Sequence, residues 1–188
     1  KRRFPLVLML EPTFRCNLRC AGCGKIAHAE NILDRRLSVD DCIAAAEACR
    51  APVISIPGGE PLLLPDIHHI VQEITVRKRF VYLCTNALLV EKRITDFTPS
   101  PYLTFNVHLD GLHERHDSLV CRQGVFEKAI AAIQRVRSLG FRVTTNTTFF
   151  KGQEPENAAR FFEYLTHLGV EGMTISAAFS YETAAGQD

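Results

Sequence analysis

Short apolar runs alternate with helix-like stretches along this 188-residue chain, and that order constrains its fold more than anything else in the sequence. Leu6–Leu10, Val53–Ile56, Phe80–Cys84, Leu103–Leu109, Arg142–Phe149 and Met173–Ser176 read as strands. Val39–Ala48, Ile67–Arg77, Phe126–Leu139 and Pro155–Leu168 read as helices, with a weaker one near Leu88–Ile94. Phe126, Ala129, Ile130, Ile133 and Val136 form a stripe of helical period. Ser38 reads as an N-cap with acids in the first turn, and Gly140 and Gly169 stand where helices end. Strict strand–helix alternation predicts an α/β fold, a parallel sheet with helical crossovers. An open doubly wound sheet and a barrel compete. A full eight-unit barrel takes about 250 residues, roughly 31 per unit, so this length predicts a partial (β/α)6 barrel with outer helices. The barrel is preferred because each functional signal lies just after a predicted strand, on the face where α/β barrels build their sites.

Composition narrows the function classes. Lys plus Arg number 22 against 21 Asp plus Glu, a formal charge of +1, which does not suggest a nucleic-acid footprint. The apolar run at Phe4–Leu10 is far shorter than the ~20 residues a membrane helix needs. The expectation is a soluble, cytoplasmic protein. Lys1-Arg-Arg-Phe4 reads as a ragged end, and 1–188 as one core barrel cut from a longer protein.

Seven cysteines are present, and three fall within eight residues. In a cytosolic chain such clustering points to metal binding or chemistry. Cys16, Cys20 and Cys23 are spaced C-x3-C-x2-C directly after the first strand. An iron–sulfur cube usually takes four thiolates; three leave one iron open, as a catalytic site requires. S-adenosylmethionine (SAM) can fill that position with its amine and carboxylate, and an electron then breaks a C–S bond. Gly22 and Gly24 let the backbone wrap closely. The alternative is a zinc-binding structural module, with Cys42, Cys49 or His28 as fourth ligand.

Gly58-Gly59-Glu60-Pro61 follows the second strand. Together with the cysteine triple, this resembles the radical SAM superfamily and its GGEP motif. The resemblance implies a [4Fe–4S] cluster on Cys16, Cys20 and Cys23. It also implies that Gly58, Gly59 and Glu60 hold the SAM amino group. The later strand ends, with Thr85, Asn86, His108, Asp110, Asn146 and Ser176 to Tyr181, match places that contact the methionyl carboxylate, ribose and adenine. One departure stands out. The aromatic residue the family often has before its third cysteine is Gly22 here, so other residues must hold adenine.

Within the superfamily, the strings Phe4–Pro12, Arg15–Ile26, Phe80–Leu89 and Val107–Gly111 resemble the adenosylhopane synthases of hopanoid biosynthesis. This implies addition of a 5′-deoxyadenosyl radical to the alkene of diploptene. Cys84 would be the catalytic hydrogen-atom donor, and flavodoxin or ferredoxin the electron donor. The lipid would be met through transient membrane contact. Whether Cys84 faces the lumen is open, because strand side chains alternate. An enzyme acting on a peptide or another small molecule is the alternative. The bland readings are core packing for Cys42 and Cys49, a helix start for His68-His69 and a solvated loop for His113 to His116. Cys121 has no assignment.

Overall fold

The computed structural model describes residues 5–178. Six strands lie in sequence order in one sheet, and every neighbouring pair is parallel. They are β1 (Val7–Met9), β2 (Val53–Ile56), β3 (Phe80–Thr85), β4 (Leu103–His108), β5 (Arg142–Phe149) and β6 (Met173–Ala177). Between them run α1 (Glu30–Leu33), α2 (Val39–Cys49), α3 (Ile67–Val76), α4 (Val90–Arg93), α5 (His113–Leu119), α6 (Val125–Ser138) and α7 (Pro155–Leu168). This is the partial barrel that the alternation predicts. All six strands fall within a residue or two of their expected bounds.

The core lies between the outer faces of the strands and the helices. Ile54, Ile56, Val81, Leu83, Phe105 and Val107 are fully buried there. They pack against Ile67, Ile70, Val71 and Ile74 of α3 and the expected stripe of α6. Phe105 meets Phe97 and Phe141 edge-on, with ring centroids 5.5 and 5.4 Å away. A 14-residue helix is marginal alone in water, so α6 owes its stability to this buried stripe, at about 1.5–3 kcal/mol per large side chain.

The helix ends follow from local chemistry. Ser38 caps α2: its hydroxyl accepts the Asp41 N–H at 3.1 Å while the Asp41 carboxylate accepts the Ser38 N–H at 3.2 Å. Gly169 ends α7 in a left-handed conformation at φ +78°.

The segment His113 to His116 departs from the expected solvated loop. It forms α5, and His116 is buried with Nδ1 accepting the Asp110 N–H at 3.1 Å. Burial, then the charge of His108, lowers the pKa of His116 to about 4, so its ring is neutral. Next to it, Asp117 accepts the N–H groups of Gly124 and Phe126 and so caps α6 from the preceding helix. Seven residues give too little periodicity to reveal such a helix. His68 and His69 behave as expected: their rings lie 3.9 Å apart, tilted by 45°, on the surface side of α3.

Candidate active site

The chain reverses after each strand at one end of the sheet, and the residues singled out from sequence gather there. The segment after β1 and the turn after β2 are stitched together. Gly59 N–H donates to the Thr13 carbonyl and Glu60 N–H to the Arg15 carbonyl, each at 2.8 Å. That seam explains both glycines. A Cβ on Gly58, which sits at φ +58°, would lie 2.6 Å from the Thr13 oxygen, and one on Gly59 would run into the Phe14 and Arg15 carbonyls. The loop carrying Cys16, Cys20 and Cys23 leaves directly from this seam. On its far side the Ala21 N–H is bonded to the Leu119 carbonyl at the end of α5.

A cavity of about 680 Å³ opens between these loops. Cys16, Cys20, Cys23, Gly58 and Gly59 line it on one side. Thr85 and Asn86 from the end of β3, His108 and Asp110 from β4, Asn146 from β5 and Ser176 from β6 line the others. Ser176 lies within β6 and not past it, and Tyr181 lies outside the described residues. Cys84 lines the same cavity, which answers the question of its direction.

Glu60 departs from the expectation of facing the SAM amine. Its carboxyl is fully buried behind the cavity wall. Oε1 accepts from Leu62 N–H at 3.0 Å and the Thr85 hydroxyl at 2.8 Å, and Oε2 accepts from Asn86 N–H at 2.8 Å. Burial pushes its pKa up to about 7, and these three donors keep it from rising further. Its side chain therefore secures the Thr85-Asn86 turn, leaving the backbone of Gly58 and Gly59 on the cavity surface.

His108 sits between two acceptors, Asp110 Oδ2 at 2.8 Å from Nε2 and Asn146 Oδ1 at 2.8 Å from Nδ1. Burial opposes its charge, yet the Asp110 carboxylate and both hydrogen bonds outweigh burial and raise its pKa. Asp110 in turn accepts the Thr148 N–H through Oδ1 at 2.7 Å, tying β4 to β5.

Cys84 lies in a polar chain across the lumen. Its sulfur is 3.6 Å from Ser55 Oγ and 3.5 Å from Asn106 Nδ2, and Asn106 Oδ1 accepts the Thr144 hydroxyl at 3.1 Å. Burial raises the thiol's pKa, the bonds to Ser55 and Asn106 only partly offsetting it, so the group stays an S–H. Sequence reasoning missed Ser55 and Asn106. The alternation in Leu103–Leu109 carries the signal for Asn106: Thr104, Asn106 and His108 share one face, opposite Leu103, Phe105, Val107 and Leu109.

Other residues were missed too. Lys25 lines the cavity with its ammonium on the Glu11 carboxylate. Phe150, just past β5, also lines it, and its ring edge would be 3.4 Å from a Cβ on Gly22. An aromatic ring from the segment after β5 thus lies against Gly22, the residue before Cys23. Gly22 adopts φ +69°, whereas Gly24 needs no left-handed backbone. Cys42 is fully buried and Cys49 packs against the core, as small hydrophobes would. Cys121 is exposed.

A family model described as the radical SAM superfamily matches residues 10–165. The chain belongs to the radical SAM superfamily. Among curated relatives it is 29% identical over 170 residues to the AdoMet-dependent heme synthase of Methanosarcina barkeri, covering 88% of this chain and 48% of that one. It is 28% identical over 172 residues to the GTP 3′,8-cyclase of Aquifex aeolicus, covering 87% and 54%. The chain therefore spans about half the length of these relatives. Streptococcus suis SuiB bound to S-adenosylmethionine superposes with a TM-score of 0.82 at 20% identity, over 98% of this chain and 42% of SuiB. That likeness concerns the fold.

The family uses a [4Fe–4S] cluster and SAM, and the donor set here fits them. Three free cysteines face one cavity from one loop. Burial and then the neighbouring cysteines push Cys20 up to about 12, and thiols become ligands by losing the proton when metal binds. Among the described residues, no three His, Cys, Asp or Glu side chains converge as ligands of a single ion do. No helix among the described residues is long and apolar enough to cross a membrane.

Proposed function

We propose that this chain is the catalytic barrel of an enzyme that adds a 5′-deoxyadenosyl radical to the alkene of diploptene, giving adenosylhopane. When bound at Cys16, Cys20 and Cys23, the cluster supplies the electron that splits SAM. Gly58 and Gly59 present backbone to the methionyl end, while His108, Asp110, Asn146 and Ser176 line the route toward the adenosyl end.

The observation that carries the reading is the Cys84 thiol on the cavity wall, where burial keeps it protonated and Ser55 and Asn106 hold the sulfur in place. Addition of the adenosyl radical forms one C–C bond, consumes the alkene π bond and leaves a tertiary carbon radical. Cys84 gives that carbon a hydrogen atom, so a C–H bond forms and the S–H bond breaks. The sulfur radical returns to thiol with one electron from a flavodoxin or ferredoxin and one proton from solvent. The residue strings at Phe4–Pro12 and Arg15–Ile26 support the choice of acceptor.

The test is the anaerobic holoenzyme with SAM, reductant and diploptene, read by product mass. Wild type is expected to give saturated adenosylhopane. Cys84→Ala is expected to keep cleaving SAM while losing the saturated adduct to unsaturated or diverted products. Normal adduct from the variant would remove Cys84 from the mechanism. A second reading, an enzyme acting on a peptide or another small molecule, draws on the relatives named GTP 3′,8-cyclase and AdoMet-dependent heme synthase. It gains if diploptene yields no adduct while such a substrate is converted.

A further inference from the structure

Asn86 lines the cavity, yet both ends of its side-chain amide already have protein partners. Oδ1 accepts the Leu88 N–H at 3.1 Å. A backbone N–H can only donate, so this bond fixes which end of the amide is oxygen. The two amide hydrogens then have two acceptors: Asn17 Oδ1 at 2.6 Å and Cys16 Sγ at 3.8 Å. The backbone at this residue is anchored as well, its main-chain N–H bonded to the buried Glu60 carboxylate. Cys16 Sγ receives a second donor, the Leu18 N–H, at 3.4 Å.

We propose that Asn86 is a positioning residue for the cluster, its side-chain amide donating to the Cys16 sulfur and raising the cluster's reduction potential. Reduction adds negative charge that spreads onto the cluster's sulfurs and their thiolate ligands. An N–H dipole aimed at one of these sulfurs stabilises the reduced state more than the oxidised one. Hydrogen bonds to sulfur are a principal means by which proteins set such potentials. The chain of contacts gives Glu60 a part in this. Its carboxylate anchors the Thr85-Asn86 turn, and the turn carries the donor to Cys16. The turn after β2 and the loop after β1 are therefore coupled through side chains as well as through their backbone seam. The inference rests on the family's cluster and not on the acceptor proposed above, so it stands or falls separately from diploptene.

The experiment is a redox titration of the reconstituted, SAM-free holoenzyme, followed by EPR of the reduced cluster. Asn86→Asp keeps an oxygen for the Leu88 N–H but loses both donors and adds negative charge; Asn86→Ala loses donors and acceptor. Both are expected to shift the midpoint to more negative values at unchanged iron and sulfide content, Asp further than Ala. Unchanged midpoints in both would overturn the proposal, because a residue that only shapes the turn does not move a potential. A measurement on wild type does not depend on variants taking up cluster. Asparagine isotopically labelled at its side-chain nitrogen is expected to show a weak coupling to the reduced cluster in pulsed EPR. A labelled protein without that coupling would equally overturn the proposal.

Discussion

At the scale of single residues, Glu60 makes a claim about pH. Its carboxyl, ordinarily near 4.5, is raised to about 7 in the fold. A raised acid binds more protons folded than unfolded, so its contribution is fullest below the ordinary value and is lost as pH rises toward 7. The comparison that isolates it is thermal stability of wild type and Glu60→Gln between about pH 5 and about pH 8. Wild type is expected to lose stability over that window relative to the variant. The variant should be less stable at low pH by about 1–3 kcal/mol, since its amide turns a donor toward the Asn86 N–H. Parallel profiles would mean that Glu60 does not titrate there. Its burial also marks where a motif misleads. The residue type and spacing of Gly58 to Pro61 point to a site, yet only coordinates reveal that the carboxylate turns inward.

At the scale of elements, strands were legible as short apolar runs between helix-like stretches, and one of them also shows its two faces. In β4, apolar Leu103, Phe105 and Val107 oppose Thr104, Asn106 and His108, which fixes the lumen face. The parallel pairing of Cys84 with Asn106 then carries Cys84 to the same face. The pairing is a long-range contact, and for that reason Cys84's direction was not available from β3 alone. The short α5 was invisible for a different reason: its fold depends on what Asp117 and His116 bond to, not on its own pattern. This predicts that Asp117→Ala destabilises the protein by about 2 kcal/mol, a lost cap plus the buried Phe126 N–H left unpaired. Ser38→Ala, which removes a comparable but exposed cap, should cost about 1 kcal/mol. Chemical denaturation of the two variants checks the order. Equal losses would mean that the Phe126 N–H finds another partner.

For the whole molecule, the parallel order of six strands gathers sites from distant sequence at one end, which is why a partial barrel suffices to line a cavity. We propose that Cys16, Cys20 and Cys23 hold the cluster. Anaerobically purified protein is expected to be brown and to carry one iron–sulfur cube per chain, and Cys16→Ala, Cys20→Ala or Cys23→Ala should each abolish SAM cleavage. Zinc without iron, with cleavage retained, would overturn the ligand assignment. The seam between Thr13–Arg15 and Gly59–Glu60 has a further consequence. Two amides that touch no metal are hydrogen-bonded to the strip of chain from which the ligands spring. Loading the cluster removes the local openings of that strip. Hydrogen exchange at Gly59 and Glu60 should therefore slow on reconstitution, while the outer face of α3 exchanges as before. The metal centre would thus act on the turn after β2 as a splint, setting its stiffness before any ligand arrives.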